Sequence, residues 1–247
     1  LVCNSLHPLI QHLDNLPFED YDNYEDYFHL KNGKIINRKD IIEEVKHPLL
    51  YKQKKPVFMM TARGCPNACS YCVNASIRTL YKDCKYIRKR SIKSVIDRLR
   101  ELKKKEDFHK IFFYDDDFFI RNLDEIEEFS LGMKKFINKP FFIFCSPITI
   151  NEEKLKLLVD CGLNSLNMGI QSGSADINKI IYNRHISINQ IIKATQVINK
   201  YIGKGPQNFM PPAYDLIINN PYESKEDVLK SIKVLKHIPK PYRLFIH

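Results

Sequence analysis

Residues 61–72 read TARGCPNACSYC, which sets Cys65, Cys69 and Cys72 at Cys-x3-Cys-x2-Cys spacing with no fourth cysteine close by. A structural zinc ion takes four protein ligands, commonly from two paired Cys/His elements, and here the second pair is missing. A cubane of four irons takes one ligand per iron, so three thiolates leave one iron open to a cofactor or substrate. That shortfall is what chemistry at a cluster requires. The competing reading is a zinc-binding loop that staples the chain, with the basic residues around it contacting nucleic acid.

Two other stretches carry reactive residue types. YDDDFF holds Asp115, Asp116 and Asp117. Strand alternation turns Asp115 and Asp117 to one face and Asp116 to the other, so the three cannot share one task. An oxygen-rich trio also suits a hard cation. MGIQSGSADINKIIYNR places Gln171 and Ser172 between two glycines, with Arg184 downstream. Its plainest reading is a glycine-shaped turn followed by a surface charge.

The elements that must position these residues alternate in type. Apolar runs at PVFMMTA, KIFFYDDDFF, FFIFCSP, LNSLNMGIQSG, AYDLIINNP and YRLFIH predict six strands. Between them lie helical patterns. Ile92, Val95, Ile96, Leu99 and Leu102 repeat on one face, as do Ile188, Ile191, Ile192, Thr195, Ile198 and Ile202. LDEIEEFSLGMKKF, NEEKLKLLVDCG with Asn151 as N-cap, and SKEDVLKSIKVLKHI read as further helices. Strands alternating with helices predict an α/β fold with parallel strands, a partial (βα)6 TIM-like barrel, plus an irregular N-terminal linker over residues 1–50. Short, wholly apolar strands predict burial on both faces of the sheet. In such a barrel the chemistry gathers at the C-terminal strand ends, where the cysteines, the aspartates and Gln171 with Ser172 all fall.

Bulk properties agree. The chain has 247 residues, 44% hydrophobic, enough for one large core. Seven cysteines, irregularly spaced outside the cluster, argue against a secreted disulfide framework and for a reduced setting. The sequence carries no long apolar run for a membrane span and no signal peptide, so a soluble, cytoplasmic protein is expected. The net charge of +10 is concentrated around residues 81–105, where it reads as the solvated face of the basic helix rather than a nucleic-acid surface.

Taken together, Cys65, Cys69 and Cys72, with the aromatic Tyr71 before the last of them, resemble the signature of the radical S-adenosylmethionine superfamily. The resemblance implies a [4Fe-4S] cluster on three cysteines. It also implies S-adenosylmethionine chelated to the open iron and cleaved to a 5'-deoxyadenosyl radical, with an electron donor of flavodoxin or ferredoxin type. Further stretches extend it over residues 51–247. YDDDFF resembles a segment whose acids, here Asp115 and Asp116, orient the amino group of S-adenosylmethionine. GIQSGS and the following Arg184 resemble a segment in which Gln171 and Ser172 face the cofactor and the arginine pairs with its carboxylate. YDLIINNPYES resembles the fifth-strand segment Asp-x-Ile-x-Gly-x-Pro, with Asn219 where glycine is usual, which puts the backbone approach to the adenosine in doubt.

The N-terminal stretch HLDNLPFEDYDNYEDYF resembles the linker that joins a cobalamin-binding domain to the radical barrel. This implies the cobalamin-dependent branch and methyl transfer or related radical chemistry. The chain lacks an Asp-x-His-x2-Gly element, so cobalamin is expected in a longer protein and not on this segment alone. A methylthiotransferase-like enzyme acting on tRNA or protein is the alternative. The substrate, a small molecule or a peptide, and the residues that act on it are not legible.

Overall fold

The computed structural model describes residues 4–19, 27–29, 33, 35–37, 56–105 and 108–247. Its centre is a six-stranded sheet made of Val57–Met59 (β1), Ile111–Phe113 (β2), Phe141–Cys145 (β3), Leu163–Gln171 (β4), Ala213–Leu216 (β5) and Arg243–Ile246 (β6). The strands lie side by side in chain order, each parallel to its neighbour. That is the βα series expected, since each crossover moves one strand along. The register shifts at Phe141/Phe142 and again at Gly169/Gln171, where β4 ends.

The helices are Val73–Leu80 (α1), Ile92–Lys105 (α2), Leu123–Gly132 (α3), Glu152–Asp160 (α4), Ile188–Asn199 (α5) and Lys225–His237 (α6). All five apolar residues of the α2 stripe are buried, which confirms the period. On α5 the buried set is Ile191, Ala194, Thr195 and Ile198, so the expected stripe is narrower at both ends. Asn151 caps α4 by accepting from Lys154 N at 2.9 Å, and capping boxes open α3, α5 and α6 at Asn122, Ser187 and Ser224.

Ile111, Phe113, Phe141, Ile143, Leu166, Met168 and Tyr214 point from the sheet into the helical layer and form the core with Leu99, Ile126, Phe129, Leu158 and Ile198. Phe113, Phe118, Phe129 and Phe141 pack with ring centroids 5.2–5.7 Å apart. The opposite face carries Phe58, Phe112, Tyr114, Phe142 and Phe144 as a connected aromatic ladder. This inner face is only partly covered, with Phe58 and Tyr114 exposed, which corrects the expectation of burial on both faces: an open barrel leaves its lumen accessible.

Two small antiparallel pairs were not foreseen, Tyr27–His29 with Ile35–Asn37, and Ala62–Arg63 with Arg88–Lys89. The N-terminal segment 4–19 lies along the barrel. Arg90 donates to Leu16 O and Pro17 O and stacks over Phe18 at 3.9 Å, Arg88 donates to Ile10 O, and Asp14 accepts from Ser91 N. The rest of the expected linker, 20–26 and most of 30–50, lies outside the described residues. Among the described residues no helix is long and apolar enough to cross a membrane.

Candidate cofactor site

The cysteine loop is built by the chain on either side of it. Ahead of it, Asp115 is fully buried and accepts from Thr61 N, Thr61 Oγ1 and Ala62 N, at 2.5, 2.5 and 2.9 Å. Arg121, equally buried, donates to Thr61 Oγ1 at 2.8 Å and to Thr61 O and Arg90 O. These contacts hold the Ala62–Arg63 pairing and aim the chain at Cys65. Gly64 takes φ +91°, and a Cβ there would meet the Tyr86 carbonyl at 2.8 Å and its ring at 3.0 Å. Only glycine lets Tyr86 lie flat against the start of the loop.

The far side is tied to later strand ends. Asn67 Nδ2 donates to Ser146 Oγ beyond β3 at 3.2 Å. Ser70 donates through N and Oγ to Tyr182 O and Ile181 O, and Asn183 Nδ2 donates back to Ala68 O. Tyr71 packs edge-on against Tyr182 with centroids 5.1 Å apart. Cys72 then stands at the N-cap of α1.

The sulfurs have polar company at a regular offset. Asn67 Nδ2 lies 3.8 Å from Cys65 Sγ and Asn74 Nδ2 lies 3.7 Å from Cys72 Sγ, each two residues on. Tyr71, two residues beyond Cys69, neighbours that thiol. Burial pushes the Cys65 thiol up to about 11, with the nearby Asp117 and Asp116 charges adding to it and Asn67 opposing. The thiol therefore keeps its proton at neutral pH until a cation displaces it. Cys145 and Cys161 belong to the hydrophobic core, where burial pushes Cys161 up to about 12 and Cys145 well above its ordinary value.

Among the described residues no three Cys, His, Asp or Glu side chains gather where one metal ion could sit. The aspartate trio is dispersed, with Asp115 on Thr61 and Ala62, Asp117 on Thr149 and Phe119, and Asp116 accepting from Asn74 Nδ2 at 2.8 Å. A cubane takes one thiolate per iron, so its ligands stand around it instead of converging on a point. Three cysteines on one anchored loop, each beside a polar side chain, fit that group.

Around the loop the structure brings together Tyr71, Asp116, Gln171 and Arg184. Asp116 is linked to Cys72 through Asn74, whose Oδ1 accepts from Tyr86 OH. Arg184 is no surface charge: it is buried and donates to Ile170 O at 2.8 Å and Gly169 O at 2.6 Å. Two of its guanidinium N–H groups are thereby committed to the end of β4. Gln171 takes φ +69° and folds over Gly169, where a Cβ would strike its amide.

Asp115 and Ser172 are placed otherwise than expected. Asp115, two residues beyond β2, is fully buried and anchors Thr61 and Ala62. Ser172 is fully buried, its hydroxyl accepting from Ser174 N and lying 3.5 Å from Ser231 Oγ of α6. Asn219 adopts φ +61°, the left-handed backbone a glycine would supply, so the departure at this position leaves the chain path intact. Asn220 Nδ2 donates to Tyr182 OH at 2.9 Å, which draws the β5 loop to the same point.

Sequence reasoning missed Asn67, Asn74, Arg121 and Tyr182. The doubled Cys-x-Asn at Cys65 and Cys72 was a visible signal for the first two. Arg121 and Tyr182 gave none, since their partners lie far along the chain.

A family model described as the Radical SAM superfamily matches residues 59–236. No curated protein sequence matches the chain. Among solved structures, the methyltransferase TsrM from Kitasatospora setae, with cobalamin and a [4Fe-4S] cluster bound, aligns at TM-score 0.61 and 13% identity, covering 80% of this chain and 38% of that one. The cobalamin-dependent enzyme OxsB aligns at TM-score 0.56 and 16% identity, covering 87% and 33%. Coproporphyrinogen III oxidase HemN from Escherichia coli aligns at TM-score 0.58 and 16% identity, covering 79% and 44%. The chain thus spans 33–44% of these structures, and the likeness is one of fold.

Proposed function

This chain belongs to the radical SAM superfamily, and from that premise we propose that Cys65, Cys69 and Cys72 hold a [4Fe-4S] cluster at which S-adenosylmethionine is bound and cleaved. The observation that carries the reading is the docking of one three-cysteine loop against Tyr182 and Ser146, with Asp116 joined to Cys72 through Asn74 and the Arg184 guanidinium acting on Tyr71. When bound, the cluster supplies the electron that breaks a sulfur–carbon bond of S-adenosylmethionine, giving the 5'-deoxyadenosyl radical.

The residues of this chain bind and orient. Asp116, already an acceptor for Asn74, offers its other oxygen to the ammonium end of the cofactor. Arg184, fixed by two strand carbonyls, offers a planar donor pair to the carboxylate. Tyr71 and Gln171 flank the space between them. The inner face of the sheet is aromatic on β1–β3 and polar on β4 and β5, where Asn167 donates to Asp215 at 3.2 Å.

Cobalamin dependence and methyl transfer are part of the proposal, supported by the linker resemblance and by the fold shared with TsrM and OxsB. Anaerobic reconstitution with iron and sulfide, followed by a chromatographic assay for 5'-deoxyadenosine under dithionite, tests the reading. Four irons per chain and product formation are expected. Stoichiometric zinc with no iron–sulfur absorption would overturn it.

A further inference from the structure

The basic charge of this chain is not spread evenly. On α2 the cations meet carboxylates of the same helix: Lys93 and Arg100 pair with Asp97, and Arg98 and Lys105 with Glu101. Residues 73–90 hold six Lys or Arg against one acid, Asp83. Of these six, Lys89 pairs with Glu125, while Arg88 and Arg90 are committed to carbonyls of the N-terminal segment. Arg78 donates to Pro66 O and meets no carboxylate. Lys82 and Lys85 are exposed, and among the described residues neither has an ion-pair partner.

Arg78, Lys82, Lys85 and Lys89 rim one open groove whose walls include Pro66 and Tyr86. Between the cations the groove is walled by Tyr81, Ile87 and Ile120. Apolar surface inside a charged rim is the anatomy of a protein interface. The groove also reaches the cysteine loop by two short routes. Pro66 is bonded to Cys65, and Tyr86 OH donates to Asn74 Oδ1 at 2.5 Å, with Asn74 Nδ2 lying 3.7 Å from Cys72 Sγ.

We propose that this groove is the docking site of a small acidic one-electron carrier protein of flavodoxin or ferredoxin type. The proposal rests on the cluster reading above and adds where the electron enters. One electron leaves the carrier's reduced cofactor and one is taken up by the cluster, with no proton or co-reactant needed. Opposite charge on the two faces speeds encounter and sets orientation, and salt weakens the effect.

The test compares the cluster-loaded protein with its Lys82→Glu/Lys85→Glu variant, mixed anaerobically with a reduced flavodoxin and followed by the loss of cluster absorbance. Dithionite, a small reductant with no docking face, is run in parallel. The double variant is expected to be reduced at least about tenfold more slowly by flavodoxin at low salt, converging with wild type as salt rises. Its iron content and dithionite rate should be unchanged, and Lys104→Glu at the C-terminal end of α2 should behave as wild type. Equal flavodoxin rates in a loaded protein would overturn the docking site while leaving the cluster reading intact. Loss of binding to a single-stranded RNA oligomer, with flavodoxin rates unchanged, would overturn it in favour of nucleic acid. A chain that takes up no iron and sulfide would refute both readings.

Discussion

Replacing Asp117 by Asn should make the protein more stable at neutral pH and leave it nearly unchanged in acid. Asp117 is fully buried, accepts from Phe119 N at 3.0 Å and from Thr149 Oγ1 at 2.7 Å, and is pushed by burial from 3.8 up to about 7. Below pH 3.8 both the folded and unfolded chains hold the proton, and the stabilisation from keeping it is fully present. As pH rises the unfolded chain releases it first, so stability falls until the folded carboxyl ionises near 7. At about 1.36 kcal/mol per pH unit over that interval, the loss comes to about 4 kcal/mol. An Asn side chain matches the neutral carboxyl in shape, can accept from Phe119 N, and can donate to Thr149, whose own hydroxyl has a second acceptor in Ser146 O. Thermal unfolding of the metal-free protein by circular dichroism at pH 4.5, 6 and 8 measures this. The expected gain at pH 8 is on the order of 10 °C, at a few degrees per kcal/mol for a chain of this size. Parallel pH profiles for the two proteins would refute the buried-proton argument.

Replacing Cys65, Cys69 or Cys72 by Ala should each abolish cluster assembly, whereas Cys84, Cys145 and Cys161 to Ala should not; iron and sulfide analysis distinguishes the sets. Asp115→Ala should cost about 3–5 kcal/mol in denaturant unfolding because it strips Thr61 N, Thr61 Oγ1 and Ala62 N of their buried acceptor and leaves the buried Arg121 only Glu125, 3.6 Å away, as countercharge, with Asp115→Asn costing less. Asp116→Ala should weaken S-adenosylmethionine binding by about 1–3 kcal/mol in calorimetry with the cluster spectrum unchanged. Arg184→Lys should do the same, since a lysine keeps the charge but not the planar pair of donors that also holds Gly169 O and Ile170 O.

The six strands and their order were legible because short apolar runs separated by amphipathic helices leave few other arrangements. The three-cysteine loop was legible as one unit because its spacing is local. Helix α1 was not, since its apolar residues Val73 and Leu80 face solvent and Cys72 supplies no side-chain cap. The pairing of Ala62–Arg63 with Arg88–Lys89 is too short and too distant in sequence to leave a pattern. Asp115 and Arg184 show the same limit from opposite sides. Both were marked by motif, but only the fold reveals that Asp115 holds the loop's approach and that Arg184 braces a strand end.

The ties of the cysteine loop also bear on the order of events during synthesis. Asn67 waits for Ser146, and Ser70 and Ala68 wait for residues 181–183, contacts that span 79 to 115 positions. At the ribosome's pace of roughly 5–20 residues per second, the last of these partners emerges on the order of ten seconds after the cysteines. Throughout that interval the three thiols hang on an unbraced strand of nascent chain, open to oxidants and stray metal ions. Cluster delivery must therefore follow translation of the fourth strand and its loop, and a shield for the nascent thiols before then would raise the yield of correctly loaded protein.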